Sequence, residues 1–322
     1  MGRPASALAR GAATLVLSLL AVASLIFLMT SILPGDQAAI MLGTSASPET
    51  LAALRTELGL DRPLWLRYLH WMADAARGDF GLSATYGVPV SRLLVERLAV
   101  TLPLAGLAML AATLLALPLA MAAARRRPAA EVAVALLAQG GIALPGFFIG
   151  ILLILAFQGG PLPTGGFPGW QQGLAALPYL LLPAIALAVP QAAVLARVAR
   201  GALKEALSQD HVRTARAKGL SDGAILRRHV FGMALPAILT LAGLQVSYLV
   251  AGAVLVENVF VLPGLGRLAI QALAQRDIPV LQGCVLLFVG IVVLVNFAIE
   301  TVIAATDPRA MPEKVISPQC QV

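Results

Sequence analysis

Six long apolar segments constrain this chain more than any other feature of its sequence. Each exceeds the ~20 residues that cross the ~30 Å hydrocarbon core of a bilayer. None contains Asp, Glu, Lys or Arg. The segments are Gly11–Leu33, Leu98–Ala123, Val132–Phe157, Leu174–Ala196, Ala234–Val256 and Ile278–Ile299. Because only 12% of the 322 residues are charged and 59% are hydrophobic, the sequence predicts an all-α membrane protein with six transmembrane helices, not a soluble domain with an anchor.

The distribution of Lys and Arg between alternate loops predicts the orientation. Of the 23 basic residues, 15 fall on the side that holds both termini and 8 on the other side, where six share one long loop. Basic residues in short loops favour the cytoplasmic side. We therefore expect a multi-pass protein of the cell inner (plasma) membrane with both termini in the cytoplasm. The net charge of +7 records this orientation. No basic face interleaved with aromatic residues points to a nucleic acid partner, and the lipid bilayer is the expected surrounding.

These segments divide the chain into four regions. Residues 1–33 form the N-terminal end and the first span, residues 34–97 an external (periplasmic) loop, residues 98–306 the core, and residues 307–322 a cytoplasmic tail. Two short helices are predicted within the external loop. Ser47-Pro48-Glu49 is typical of a helix start, and a second helix follows Asp61-Arg62-Pro63. Two interpretations of this loop stay open: a packed cap over the bundle, or part of a docking face for an external protein.

A basic insert lies between the fourth and fifth apolar segments. Residues 196–236 hold 8 of the 23 Lys and Arg residues, and 197–233 form the predicted cytoplasmic loop. Ser208 is the predicted N-cap of a short helix, and Gly219 occupies the position that favours a left-handed C-terminal cap. Val212 and Ala215 lie three apart and are small enough for close approach by another backbone. The pattern favours an element that couples to a soluble partner, with a solvated basic turn near anionic lipid as the alternative.

Few polar groups occur inside the spans, and no enzyme motif is present. Gln191 and Gln245 are the candidate pathway residues, although hydrogen bonds between helices are the more common use of such side chains. The sequence lacks the Gly-x-x-x-x-Gly-Lys-Ser/Thr phosphate loop, its three His residues are scattered between opposite sides, and no Ser/His/Asp set is evident. We therefore predict no catalytic, cofactor-binding or metal site.

Several motifs of the insert and its surroundings occur together in one known family. Residues 215–220 read Ala-Arg-Ala-Lys-Gly-Leu, and Arg228-His229 and Ala234-Leu235-Pro236 follow. Supporting runs are Pro34-Gly35-Asp36, residues 58–63 (Leu-Gly-Leu-Asp-Arg-Pro), residues 78–81 (Gly-Asp-Phe-Gly), residues 256–260 (Val-Glu-Asn-Val-Phe), residues 263–266 (Pro-Gly-Leu-Gly), Arg276-Asp277 and Asp307-Pro308-Arg309. In order and spacing, over about residues 10–309, the chain resembles the dipeptide, oligopeptide and nickel permeases of ABC importers.

The resemblance implies a fold, partners and site residues. It implies six transmembrane helices of the type I importer fold, a second homologous permease subunit, two cytoplasmic ATPase subunits and an external substrate-binding protein. ATP and Mg would be used by the ATPase subunits, and this chain would need no cofactor. The implied coupling residues are Ser208, His211, Val212, Arg213, Ala215, Arg216, Lys218 and Gly219. The implied outer gate comprises Glu257, Asn258, Pro263, Gly264 and Gly266.

One position departs from the broader importer pattern. Arg213 stands where that pattern has a glutamate, six residues before the glycine, which weakens the expectation of an acidic contact there. The expected substrate is a short peptide, with nickel or a nickel chelate as the alternative within the family. From a different class, a secondary transporter or channel without ATPase subunits also stays open. Such proteins often show inverted repeats or ionisable groups deep in the membrane, and neither is evident here.

Overall fold

The computed structural model describes residues 3–32, 37–42, 47–57, 59–125 and 127–306. Within these ranges the chain is helical and forms no strand. The helices are α1 (Arg3–Ile32), α2 (Gln37–Leu42), α3 (Pro48–Glu57), α4 (Leu64–Ala76), α5 (Val90–Ala124), α6 (Pro128–Ala143), α7 (Gly146–Phe157), α8 (Pro178–Leu207), α9 (Asp210–Ala217), α10 (Asp222–Ile225), α11 (Phe231–Val259), α12 (Leu265–Gln275) and α13 (Ile278–Thr306). A 3-10 turn covers Trp170–Ala176, and a π-helical turn, Leu226–Val230, joins α10 to α11.

Five of the predicted spans are continuous helices, and the third is broken. Helices α1, α5, α8, α11 and α13 are each long and apolar enough to cross a membrane, whereas α6 and α7 form a pair bent by 101°. From the apolar sequence we predict a single span over Val132–Phe157. Pro145 breaks it because proline lacks an N–H and holds the preceding Leu144 in an extended conformation, with ψ of 122°. The six-helix prediction is confirmed when the bent pair counts as one span.

Helix α8 occupies the centre of the bundle. It packs against α5, α6, α7 and α11, whereas α1 packs on α13 at the periphery. The contact with α5 uses small residues: Ala112, Ala116 and Ala120 of α5 are fully buried, in one cluster with Ala192 and Ala196 of α8. Between helices in lipid there is little hydrophobic drive, so close backbone approach supplies the packing energy. The alanines let α5 and α8 approach closely.

The bundle has two polar faces. We call the side that carries α9 and α10 the insert face and the side that carries α3, α4 and α12 the loop face. Helix α8 runs from the loop face to Leu207 on the insert face, so residues 197–207 of the predicted loop continue the span. Its start is also later than predicted, because residues 174–176 belong to the 3-10 turn and the helix begins at Pro178.

The two short helices predicted on the loop face are present. The Ser47 hydroxyl accepts a hydrogen bond from the Thr50 N–H at 3.2 Å, which caps α3. Helix α4 rests on α1, where the ring of Phe27 lies 5.3 Å from that of Tyr68 and 5.6 Å from that of Trp71. The packed-cap interpretation therefore holds for this contact.

Close packing of α6 on α8 can be tested at two adjacent glycines. An added Cβ at Gly141 would lie 2.7 Å from the Ala193 Cβ, whereas one at Gly140 would meet nothing within 4 Å. Overpacking typically costs about 1–3 kcal/mol. We expect Gly141→Ala to lower the unfolding temperature of the protein purified in mild detergent. Gly140→Ala is the matched control and should leave it unchanged or raise it, because alanine is the better helix former. Equal temperatures for the two variants would contradict this packing.

Candidate functional site

On the loop face, a buried carboxylate holds the start of α12 against α11 and α5. Glu257, near the end of α11, is fully buried. Its carboxylate accepts hydrogen bonds from the Gly266 N–H at 2.7 Å, the Arg267 N–H at 3.1 Å and the Thr101 hydroxyl at 2.6 Å. These N–H groups belong to the first turn of a helix, where orphan donors and the helix dipole favour a negative charge. Glu257 thus caps α12.

Thr101 completes this cap from α5. Its hydroxyl donates to Glu257 and accepts from the Leu265 N–H at 2.8 Å. Helix α5, more than a hundred residues earlier in the chain, therefore meets the α11–α12 pair in one hydrogen-bond network. The sequence analysis missed Thr101, because the residues around it give no indication that its partner is Glu257, 156 positions away.

Two of the predicted gate glycines are required by this geometry. A Cβ at Gly264 would overlap the Glu257 carboxyl group, and one at Gly266 would overlap the Val254 backbone. Val261 also adopts a left-handed conformation, with φ of 56°, which is strained for a β-branched residue. The turn from α11 to α12 is therefore tightly determined.

The other predicted gate residues contribute less to this network. The Asn258 side chain donates to the Val254 carbonyl of its own helix at 2.7 Å, so this hydrogen bond stays within α11. Pro263 precedes Gly264, which is the N-cap residue of α12.

A second buried carboxylate, Asp277, joins the loop before α5 to the start of α13. It accepts hydrogen bonds from the Ser83 hydroxyl at 2.5 Å and the Thr85 N–H at 3.0 Å. The preceding Arg276 has a left-handed φ of 57° and ends α12. The sequence offered Arg276-Asp277 only as part of the family pattern. The sequence did contain a signal that could have identified Asp277 as a helix cap. It is an aspartate directly before a long apolar helix that has a proline in its first turn.

On the insert face, α9 is an eight-residue helix with a definite end. Gly219 has φ of 81°, and the Leu220 N–H donates to the Ala215 carbonyl at 3.2 Å, which is the left-handed glycine cap that the sequence predicts. The predicted N-cap was wrong by one residue. Gln209 is the N-cap, and the Ser208 hydroxyl instead donates to the Glu205 carbonyl at 2.7 Å, within the end of α8.

The apolar side of α9 faces its own chain. Val212 is fully buried and Ala215 is 6% exposed, in the cluster that contains Leu203 and Ile225. The prediction that these two residues offer a surface to another backbone is therefore wrong. The end cap and the three-residue spacing of Val212 and Ala215 identified the helix and its apolar side, but not what that side packs against.

The solvent-facing side of α9 is basic. His211, Arg213, Arg216 and Lys218 are all exposed. Arg213 lies 3.4 Å from Asp210 and Arg216 lies 3.3 Å from Asp222, both as exposed ion pairs. Such pairs add little stability, so these cations remain available to an approaching surface.

Inside the membrane, the two candidate pathway glutamines meet at the contact between α8 and α11. The Gln245 side-chain amide donates to the Gln191 backbone carbonyl at 2.7 Å. Both residues are buried, and the described residues supply no hydrogen-bond partner for the Gln245 Oε1 atom. Gln245 therefore links two helices.

Comparison with known proteins now places this arrangement in a family. Residues 100–312 match the family described as binding-protein-dependent transport system inner membrane component. Residues 6–105 match the family of its N-terminal region. The chain belongs to this family. It is a multi-pass inner-membrane permease of an ABC importer, and ATP hydrolysis lies in separate subunits of such importers.

Curated relatives and a solved structure agree with that assignment. A probable peptide ABC transporter permease of Sinorhizobium fredii is 39% identical over 288 residues, covering 88% of this chain and 92% of that protein. A glutathione transport system permease of Salmonella typhimurium is 38% identical over 298 residues, covering 91% and 95%. The methionine ABC transporter MetNI in an inward-facing form, 21% identical, has a TM-score of 0.54 over 67% of this permease and 96% of its own chain. That likeness supports the type I importer fold.

The buried cap predicts that Glu257→Gln destabilises the permease. The amide has one acceptor oxygen in place of two, so at least one buried N–H or hydroxyl group loses its partner, at about 1–3 kcal/mol. Thermal unfolding of the purified protein in mild detergent measures the effect. Glu96→Gln is the matched control, because Glu96 is an exposed acid 2.9 Å from Arg92 on the same face. A Glu257→Gln protein as stable as the control would contradict the cap.

Proposed function

We propose that this permease forms half of the translocation pathway for di- or oligopeptides. The relatives named above are described as peptide and glutathione permeases, and glutathione is itself a small peptide. Those names give no support to nickel or a nickel chelate as the substrate. The permease works with ATPase subunits and a substrate-binding protein, as its family membership implies. We infer that ATP and Mg are bound by the ATPase subunits and that this chain needs no cofactor.

A second homologous permease subunit completes the pathway in this proposal. Tyr248 lies in the middle of α11, and 70% of its surface is exposed in the single chain. A tyrosine hydroxyl at that depth needs a polar partner or water, which lipid does not supply. This exposed tyrosine supports either a subunit contact or a water-filled path beside α11. Gln191 and Gln245, at the contact between α8 and α11, are the candidate pathway residues of this proposal.

The basic surface of α9 is the proposed contact for the ATPase subunits, and it is the observation that carries the functional proposal. His211, Arg213, Arg216 and Lys218 present the contact, and Gly219 holds the end of the helix. Val212 and Ala215 act differently from the sequence-based expectation, because they anchor α9 to α8 and α10. Ser208 contributes by ending α8. A force on α9 is thereby transmitted to the spans.

The turn between α11 and α12 is the proposed outer gate. Glu257 and the glycines at 264 and 266 form its rigid part, and Asn258 and Pro263 flank it. Because Thr101 ties this turn to α5, any movement of α11 relative to α5 must either carry the turn with it or break the cap. The substrate-binding protein would act on this loop face.

The proposed orientation places the insert face and both termini in the cytoplasm, as the 15 to 8 distribution of basic residues indicates. A reporter enzyme that is active only outside the cytoplasm should be active when fused at Gly165 and inactive when fused at Gln209. Whole-cell reporter activity, normalised to the amount of fusion protein, is the measurement. Activity at Gln209 would overturn both the orientation and the coupling proposal.

Reconstituted vesicles test function and coupling together. Vesicles containing the complete importer should accumulate a labelled short peptide with ATP hydrolysis, and should not accumulate nickel. Gly219→Val should reduce uptake and peptide-stimulated hydrolysis together. A β-branched residue at φ of 81° costs on the order of 1–2 kcal/mol, enough to displace α9 without unfolding the bundle.

Gly201→Val is the matched control for that substitution. Gly201 lies in α8 on the same polar insert, at negative φ, and an added Cβ there meets nothing within 4 Å. Both variants should co-purify with similar amounts of the ATPase subunits, so that a loss of uptake reflects lost coupling and not lost assembly. Wild-type coupling in Gly219→Val would show that the ATPase subunits act elsewhere on the chain, and nickel uptake would overturn the peptide assignment.

A further inference from the structure

A cavity on the loop face lies outside the core of the bundle, between α1, α4 and the start of α13. Its volume is about 290 Å³, and its lining includes Thr30 of α1, Trp71 of α4 and Gln282 of α13. Gln282 donates to the Thr30 hydroxyl at 2.6 Å across the α1–α13 contact. On this face the described part of α1 ends at Ile32, and α13 begins at Ile278. The cavity is therefore at the level where two spans leave the hydrocarbon core.

Two arginine side chains line this cavity. Arg62 and Arg67 are both part of the lining, and among the described residues neither forms an ion pair with a carboxylate. A guanidinium group presents several N–H donors to phosphate or carboxylate oxygens. The cavity is thus suited to a ligand that brings several acceptor oxygens.

The same cavity offers negative charge on its rim. Asp74 and Asp79 both line it. Asp79 accepts one hydrogen bond, from the Gly81 N–H at 2.9 Å, and Asp74 has a long, exposed contact of 3.8 Å with Arg77. With two arginines and two aspartates the lining is close to neutral. A complementary ligand therefore carries both an anionic and a cationic group.

The surroundings of the cavity are suited to lipid. Helix α4 exposes Leu64, Trp65 and Leu69, with 47%, 64% and 53% of their surfaces accessible, while Tyr68 and Trp71 of the same helix pack on Phe27. An amphipathic helix with exposed tryptophan and leucine is typical of the membrane–water interface. We propose that this cavity binds the headgroup of a phospholipid that carries a phosphate and a primary ammonium group, as in phosphatidylethanolamine.

Each part of such a headgroup has a counterpart in the lining. The phosphate oxygens accept from Arg62 and Arg67, and the ammonium group donates to Asp74 and Asp79. The acyl chains run along the peripheral helix α1, which is among the least buried spans. The lipid would fix α4 to α1 and α13 from outside the translocation pathway.

The test uses the complete importer in mild detergent with a photoactivatable phosphatidylethanolamine. We expect crosslinks in residues 59–82 and 278–282, and about tenfold weaker labelling in Arg67→Gln, because a charge-assisted hydrogen bond is lost. Arg92→Gln is the matched control: it also removes a positive charge from the loop face but lies outside the cavity, and it should label like the wild type.

Competition distinguishes the possible ligands. Unlabelled phosphatidylethanolamine should displace the probe, and phosphatidylglycerol, which has no ammonium group, should displace it poorly. Equal displacement by phosphatidylglycerol would overturn the role of Asp74 and Asp79. Displacement by millimolar inorganic phosphate would mean a site for a soluble anion and would overturn the lipid assignment. Equal labelling of Arg67→Gln and Arg92→Gln would overturn the site altogether.

Discussion

Close packing of alanine against alanine between α5 and α8 is the contact on which this permease depends. In lipid the helices gain little by hiding apolar surface from one another, so van der Waals contact between backbones has to supply the association energy. The fully buried Ala112, Ala116 and Ala120 provide that contact with α8. Around α8 the chain arranges α6, α7 and α11, and every polar feature of the two faces is positioned relative to this packed centre.

The loop face adds a second principle, the use of buried carboxylates as helix caps. Glu257 satisfies the start of α12, and Asp277 accepts from the Val280 N–H at 3.4 Å at the start of α13. Each also binds a hydroxyl from a distant element, Thr101 or Ser83. A buried charge is tolerated only when it is well hydrogen-bonded. These two acids therefore tie the start of α12 to α5, and the start of α13 to the loop that precedes α5.

The sequence was sufficient for the features that depend on local chemistry. Apolar length predicted the spans, and Gly219 and Ser47 were recognised as helix caps. It was insufficient where the role of a residue depends on a partner that is distant in the chain. Val212 and Ala215 read as a free surface because the residues that cover them, such as Leu203 and Ile225, come from other helices. Thr101 and Asp277 act through partners 156 and 194 positions away. Pro145 was visible, but whether a proline kinks or breaks a span depends on its neighbours: Pro183 and Pro190 stay inside a continuous α8.

The length of α8 has a mechanical consequence. Its 30 residues form a rod of about 45 Å that reaches from one polar face to the other. A tilt of ~5° about one end displaces the other end by ~4 Å, simply from that length. Val212 and Ala215 of α9 share a buried cluster with Leu203 near the end of this rod. In the proposed coupling, the action of the ATPase subunits on α9 would therefore rotate α8 about its insert-face end, and the loop-face end would shift laterally by several ångströms. That coupling requires the packing of α9 on α8 to hold during the movement.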